Sequence, residues 1–526
     1  MASPVTSPIS WFGSARSFYP FATHRLRAVA HVNPMQEVLN ANAIHDPADR
    51  TSAVSGGRRP VMKQRTRLVL LATLVAGTAM AQGVSVSTTT IAQTWKQNTP
   101  GFPTGTFTPA TEYVGIDASK LGGKDALSLH FYGWGMTDLA DQSYIGGKST
   151  GDFTYGYLQY NFAQANAQLK AGRFTVTQGI GNEPVDGVSA STDLRYGFTV
   201  SAFAGSPVVF KNYSNQNQSV QPSQRDFMFG GRLAWHAPKV GEIGVDYLAD
   251  GSPATQTAPI PATNPTAMVY TRRLLGVDMK LTPCDAFDFS GRTVTDVAPL
   301  VATAAGGNIS RLAEDDYTAT LKFPHDVSLA GTFVERNLFS YFAGSTLPSL
   351  FNQNEQGMFK ATGAKLTWQA PANLQVVGDV RRTDRESYGT TTRAGADFRY
   401  ALPESHILAG LGYHKVNADQ VQAVDAVVPA YSLSHSESRA WIMAEKGAYS
   451  ASLDAIRNHY AAPYTNPSLN GQGIESAIVG SVGYKAKNGA KVSGDLTVED
   501  SPIFGKQTIA LLRFEYRFGL AGKGDK

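Results

Sequence analysis

Lys491-Val492-Ser493-Gly494-Asp495-Leu496-Thr497-Val498-Glu499 reads in steps of two. Val492, Gly494, Leu496 and Val498 form one set; Lys491, Ser493, Asp495, Thr497 and Glu499 form the other. Successive side chains of an extended strand point to opposite faces, so the segment predicts a strand with one apolar and one polar face. Working outward, the pattern repeats. In Thr392 to Leu402, Ala394, Ala396, Phe398, Tyr400 and Leu402 oppose Arg393, Asp397 and Arg399. In Tyr317 to Phe323, Tyr317, Ala319, Leu321 and Phe323 oppose Thr318, Thr320 and Lys322. In Asp226 to Ala237, Phe227, Phe229, Gly231, Leu233 and Trp235 oppose Arg232 and His236. Helical stripes and runs of 18 apolar residues are missing after Gln82, which argues against a spanning helix.

The connectors alternate too. Short turns are read at Gly122 to Asp125, Gln164 to Asn166, Pro283 to Asp285, Pro324 to Asp326, Pro371 to Asn373, Pro403 to Ser405 and Lys487 to Gly489. Between them stand longer connectors rich in Gly, Pro, Asn, Ser, Thr and Gln, at 139–152, 211–224, 250–266, 297–309, 339–356, 418–435 and 460–473. About 22 strand candidates of about 10–13 residues each fit between Val84 and Phe518, with a range of about 18–26. Segment 186–195 is the weakest of them. Starting upward at the first strand, every short turn falls at one end and every long loop at the other. That asymmetry predicts an all-β fold, a transmembrane antiparallel β-barrel with long extracellular loops and short periplasmic turns. A soluble sandwich or propeller also alternates, but has no need of all its long connections at one end. Phe162, Trp235, Phe323, Trp368, Tyr400 and Tyr484 stand near the short-turn ends, as an interfacial girdle requires.

The first 81 residues read as addressing. Met62 to Arg67 is basic, Leu68 to Gly77 is apolar, and Ala79-Met80-Ala81 has the small-x-small form of a signal-peptidase site, placing cleavage before Gln82. The alternative is a short buried helix. Residues 1–61 are read as an over-extended start or an unstructured extension, 62–81 as the signal peptide and 82–526 as the barrel. Nine of the 46 basic and three of the 42 acidic residues precede Gln82, leaving a net charge of −2 after it. A nucleic-acid role therefore has no support from charge. The single cysteine, Cys284, excludes a disulfide scaffold, a cysteine zinc site and covalently attached haem. Histidines show no ligand spacing and no G-x-S-x-G elbow occurs, so neither an enzyme, a metal site nor a cofactor is expected.

Leu512, Phe514, Tyr516 and Phe518 share one parity at the C-terminal end. They resemble the aromatic terminal strand by which Gram-negative outer-membrane β-barrel porins are read by the barrel assembly machinery, although eight residues follow Phe518 here. Ala171-Gly172-Arg173-Phe174, Gly179 and Asp186-Gly187-Val188 are similar to a GR…G…DGV strand–loop–strand of large specific porins and polysaccharide-export barrels. The resemblance is architectural, over residues 82–518. It implies the cell outer membrane as location, and outer-membrane lipid and lipopolysaccharide as surroundings.

If the alternation holds, Arg232, Asp278, Asp288, Arg292, Asp379, Arg381, Arg385, Asp397 and Arg399 face the lumen, with Asp379, Arg381 and Arg385 as a charged stripe. Such residues set ion preference in a water-filled channel or pair across strands to hold the wall; both readings stay open. The first function expected is passive diffusion of small hydrophilic solutes through a porin-like channel. The alternatives are an insulating sheath around a periplasmic multihaem cytochrome, a dedicated polysaccharide exporter, or an adhesive barrel.

Overall fold

The computed structural model describes residues 81–97, 105–140, 149–177, 179–180, 183–208, 227–252, 269–297, 312–337, 358–385, 389–419, 434–461, 473–501 and 505–521. Residues 1–61 and residues 62–80 of the predicted signal peptide, Ala79 among them, lie outside them, while Ala81, the last residue of that segment, and Gln82 stand at the start of the first strand.

The described residues form one antiparallel sheet closed into a barrel. It starts with β1 (Ala81–Gln97), β2 (Gly105–Phe107), β3 (Pro109–Leu121), β4 (Leu127–Asp138), β5 (Ser149–Phe162), β6 (Ala167–Val176), β7 (Glu183–Asp193) and β8 (Phe198–Pro207). β9 (Phe227–Ala237), β10 (Gly241–Ser252), β11 (Val269–Cys284), β12 (Phe287–Asp296), β13 (Leu312–Phe323), β14 (Val327–Asn337), β15 (Met358–Ala370) and β16 (Leu374–Arg385) follow. The ring ends with β17 (Gly389–Leu402), β18 (Ile407–Ala418), β19 (His435–Lys446), β20 (Tyr449–Tyr460), β21 (Ile474–Lys485), β22 (Lys491–Ser501) and β23 (Gly505–Ala521). β2 is a three-residue strand paired only to the upper end of β1; the other 22 make the wall. Each wall strand pairs with its sequence neighbours, and β23 returns to β1 in continuous register from Gly83↔Ala521 to Trp95↔Ile509. Closure leaves no edge to expose unpaired N–H and C=O groups, which is what a sheet in hydrocarbon needs.

The turns at the lower rim are tight because their residues accept left-handed backbone. Ala372 and Asn373 (φ 62° and 61°) turn β15 into β16, and His325 and Asp326 (φ 65° and 56°) turn β13 into β14. Cys284 ends β11 as an exposed free thiol. The upper rim departs from expectation at two places. Only residues 386–388 separate β16 from β17, and only 502–504 separate β22 from β23. In both cases the strand resumes at a glycine with positive φ, Gly389 (71°) and Gly505 (67°), so the long-loop end also holds short connections. The strand read at 186–195 is β7, three residues earlier at its start.

The two faces of the wall differ as the alternation requires. Leu366, Val380, Leu411, Leu453, Val482, Leu496 and Leu512 are exposed on the outer face. Phe162, Trp235, Phe323, Trp368, Tyr400 and Tyr484 are exposed on the same face, each within three residues of the lower end of its strand. At the upper ends the outer face becomes ionic. Lys360 Nζ lies 3.4 Å from Glu335, and Arg382 Nε 3.2 Å from Asp384. Arg173 forks onto Asp186 at 2.7 and 2.9 Å, with its guanidinium 3.8 Å from the Phe153 ring centroid. The GR…DGV residues thus form a cross-strand ion pair on the outside of the wall. The apolar belt is bounded by rings below and charges above.

Candidate functional site

The inner face carries the ionisable residues, and register sets which of them meet. Arg232, Asp246 and Gly276 are neighbours on β9, β10 and β11, as are Ala234, Gly244 and Asp278 one rung away. Arg232 donates Nε to Asp278 Oδ2 at 2.9 Å and Nη2 to Asp278 Oδ1 and Glu242 Oε1, both at 2.6 Å. Asp246 Oδ1 is 3.6 Å from the Arg232 Nε. Three carboxylates therefore surround one guanidinium whose side chain is only 13% exposed. The planar fork of arginine makes such a bidentate bond to Asp278 and still leaves donors for Glu242. The next strands continue the network. Arg292 Nη2 lies 2.8 Å from Glu314, Arg336 Nε lies 2.7 Å from the same carboxylate, and Asp288 pairs with Lys322.

Above this sector Gly179 and Ile180, which stand between β6 and β7, turn inward. Ile180 is buried against Leu248, Leu274 and Val294, with Phe203 packed on the group. Two glycines make the approach possible. A Cβ on Gly276 would stand 2.1 Å from the Ile180 Cγ2, and one on Gly179 (φ 55°) would stand 1.7 Å from Asp246 Oδ1. Gly179 and Ile180 are thereby seated on the inner wall, directly over the buried Asp246. Its sequence signal is one isoleucine between two glycines in a polar turn, Gly179-Ile180-Gly181. An apolar residue there has nothing to bury against except the wall.

A second sector, β16 to β20, is organised differently. Arg393 donates Nη1 to Asp379 Oδ2 and Nε to Glu437 Oε2, both at 2.9 Å. His414 Nε2 lies 2.9 Å from Asp379 Oδ1 and 3.9 Å from Asp397 Oδ2. His435 Nε2 lies 3.3 Å from Glu437, and Arg439 Nε 2.9 Å from Asp454. Donor atoms of Asp379, Asp397 and His414 lie within 4.8 Å of one another, the one such set of three among the described residues.

The residues predicted from sequence to face the lumen fall on this inner face, but in separate groups. Arg232 and Asp278 belong to the first sector with Arg292 and Asp288; Asp379 and Asp397 belong to the second. Arg399 donates to Gln375 at 3.2 Å, and Arg385 stacks over Phe359 at 5.5 Å. Asp379, Arg381 and Arg385 share one face of β16, and Arg381 lies in register with Arg393 on β17. Glu242, Glu314, Arg336, Arg393, His414 and Glu437 complete the networks and are not among the predicted site residues. Their parity was readable, whereas their reach across two strands depends on side-chain conformation.

Leu512, Phe514 and Phe518 are exposed on the outer face of β23, and Tyr516 stacks on Phe518 with ring centroids 5.7 Å apart. The terminal aromatic parity read from sequence therefore faces outward along the closing seam, and the strand runs on to Ala521.

Neither a protein-family model nor a curated protein matches this sequence. Solved barrels of similar outline include the P pilus usher PapC translocation pore, with 9% identity, TM-score 0.45, and 82% of this chain and 99% of that one covered. The outer membrane protein OpdK from Pseudomonas aeruginosa has 8% identity, TM-score 0.38, and 83% and 99% coverage. OpdQ of the same organism has 11% identity, TM-score 0.38, and 83% and 98% coverage. At these values the likeness is confined to barrel architecture.

Proposed function

We propose that the chain is an outer-membrane channel through which small hydrophilic solutes pass by diffusion. The observation that carries this reading is the division of one closed wall into an apolar, aromatic-edged exterior and an ionised interior. Hydrocarbon accepts the first face only, and water suits the second. A ring of 22 strands is wider than the about 16–18 that already leave an aqueous channel. The inturned β6–β7 connection narrows such a lumen on one side. Paired charges of both signs around it favour polar solutes over apolar ones. The ionic upper edge of the exterior, Lys360 with Glu335 and Arg173 with Asp186, suits the headgroup layer of lipopolysaccharide, and the outward aromatic parity of β23 suits the assembly machinery.

Single-channel conductance of the purified barrel in a planar bilayer tests the reading. Steady, large conductance is expected, with a reversal potential near zero in a salt gradient because the wall charges balance. Electrical silence from a correctly folded barrel would overturn it and move the sheath or exporter reading forward. The membrane seat has its own test. Leu453→Arg, in mid-strand on the outer face, is expected to cost about 2–4 kcal/mol of folding free energy into vesicles, and Tyr484→Arg at the lower edge about 0–1 kcal/mol. Equal costs would deny the belt its depth.

A further inference from the structure

We infer that Asp379, Asp397 and His414 form a binding site for a divalent first-row metal cation of the Zn2+ and Co2+ class on the inner wall. The donors come from three successive strands. Asp379 on β16, Gly395 on β17 and His414 on β18 are one cross-strand row, and Asp397 lies opposite Gly412 one rung away. The glycines are what let the donors converge. A Cβ on Gly395 would stand 2.3 Å from His414 Cδ2, and one on Gly412 would stand 2.3 Å from Asp397 Oδ1. The imidazole thus leans over Gly395 toward Asp379, and the Asp397 carboxylate lies back over Gly412.

One imidazole with two carboxylates is a donor set suited to Zn2+, Co2+, Ni2+ or Mn2+, and poorly suited to Ca2+ or Mg2+, which favour oxygen alone. Bonds of about 2.1 Å in a tetrahedral site place donors about 3.4 Å apart. The His414 Nε2 distances to Asp379 Oδ1 and Asp397 Oδ2, 2.9 and 3.9 Å, bracket that separation. Small side-chain rotations therefore suffice. Outer partners are already in place. Arg393 holds Asp379 by Oδ2, which leaves Oδ1 for the ion, and Glu437 holds Arg393 from its other side. Such support of a ligating carboxylate is a recurrent feature of metal sites. With histidine neutral, the three donors carry two negative charges. Glu437 balances Arg393, and Asp454 balances Arg439, which is in register with Gly412; the other cations on this face near the group are Lys365, in register with Asp379, Arg381, in register with Arg393, and Arg399. Three protein donors leave a coordination position for water or for a donor atom of a passing solute.

The inference needs the fold and not the channel activity, so it is tested by binding. The full chain, folded in detergent and stripped with a chelator, is titrated with Co2+ by visible absorption and with Zn2+ by calorimetry. One equivalent is expected, with the absorption bands of a low-coordinate Co2+ site. His414→Ala and Asp397→Asn are each expected to weaken binding at least about tenfold. Asp397→Asn leaves the His414–Asp379 contact in place, so it reads the site even if His414→Ala folds poorly. His130→Ala removes a histidine paired with Asp117 at 2.8 Å on other strands and is expected to change nothing. No binding by the wild type, or binding that Asp397→Asn and His414→Ala leave intact, would overturn the inference and leave the trio as a hydrogen bond within the wall.

Discussion

The two charged sectors of the inner wall use glycine to opposite ends. In β9 to β12, Gly276 and Gly179 make room for a connection, and the Ile180 it carries seals Leu248, Leu274 and Val294 above the Arg232 group. In β16 to β18, Gly395 and Gly412 make room for side chains, and His414 and Asp397 fill the space themselves. The first sector is consequently covered, with Asp246 only 3% exposed. The second keeps Arg393 37% exposed. The same alternation thus yields a covered arginine in one sector and a more exposed one in the next, according to what occupies the void over a glycine.

The largest expected effect is on the covered arginine. Arg232→Ala leaves Asp246, Asp278 and Glu242 without their shared cation and is expected to cost about 3–5 kcal/mol, read from the urea midpoint of the folded barrel. Arg393→Ala, in the more solvated sector, is expected to cost about 1 kcal/mol or less in the same assay. Equal losses would erase the distinction between covered and open. Next comes the cover itself. Ile180→Asp removes an apolar anchor worth about 1.5–3 kcal/mol of burial and places a carboxylate beside Asp246. The connection is expected to leave the wall, raising single-channel conductance and its open-channel noise; unchanged conductance would mean that it does not narrow the path. The smallest effect is on selectivity. Arg393→Gln removes one exposed positive charge and is expected to shift the reversal potential a few millivolts toward cations, whereas Arg382→Gln, on the outer face, is expected to leave it unmoved.

Much of this architecture is legible in the alternation, because a period of two survives any error in strand length. The parity of Arg232, Asp278, Asp379 and Asp397 follows from Leu233, Val277, Val380 and Phe398 being apolar beside them. The tight turns are legible for a second reason, since Pro, Asn and Gly mark backbone that only a few residues accept. The short connections at 386–388 and 502–504 were not, because a polar stretch of strand end looks like the start of a loop. The inward fold of Gly179-Ile180 was hidden for a deeper reason. Its partners, Leu248, Leu274 and Val294, belong to three later strands whose registers must be known before the apolar patch exists. The His414 group was hidden likewise. Its donors are spaced by 18 and 17 residues, a hairpin's length rather than a metal motif's.

The seam between β1 and β23 carries a consequence for how the chain becomes a ring. Among the described residues, every other strand pairing of the wall joins strands consecutive around the ring and can form as a local hairpin. At the seam Arg517 donates to Ser85 across 432 residues. Loop closure on that scale costs more chain entropy than any hairpin of the ring, so the seam is expected to form last. A chain halted before Gly505 holds 21 wall strands and two bare edges, with β1 offering its whole register to any strand that arrives. The final 17-residue strand thus decides whether the others enclose a lumen or template an aggregate.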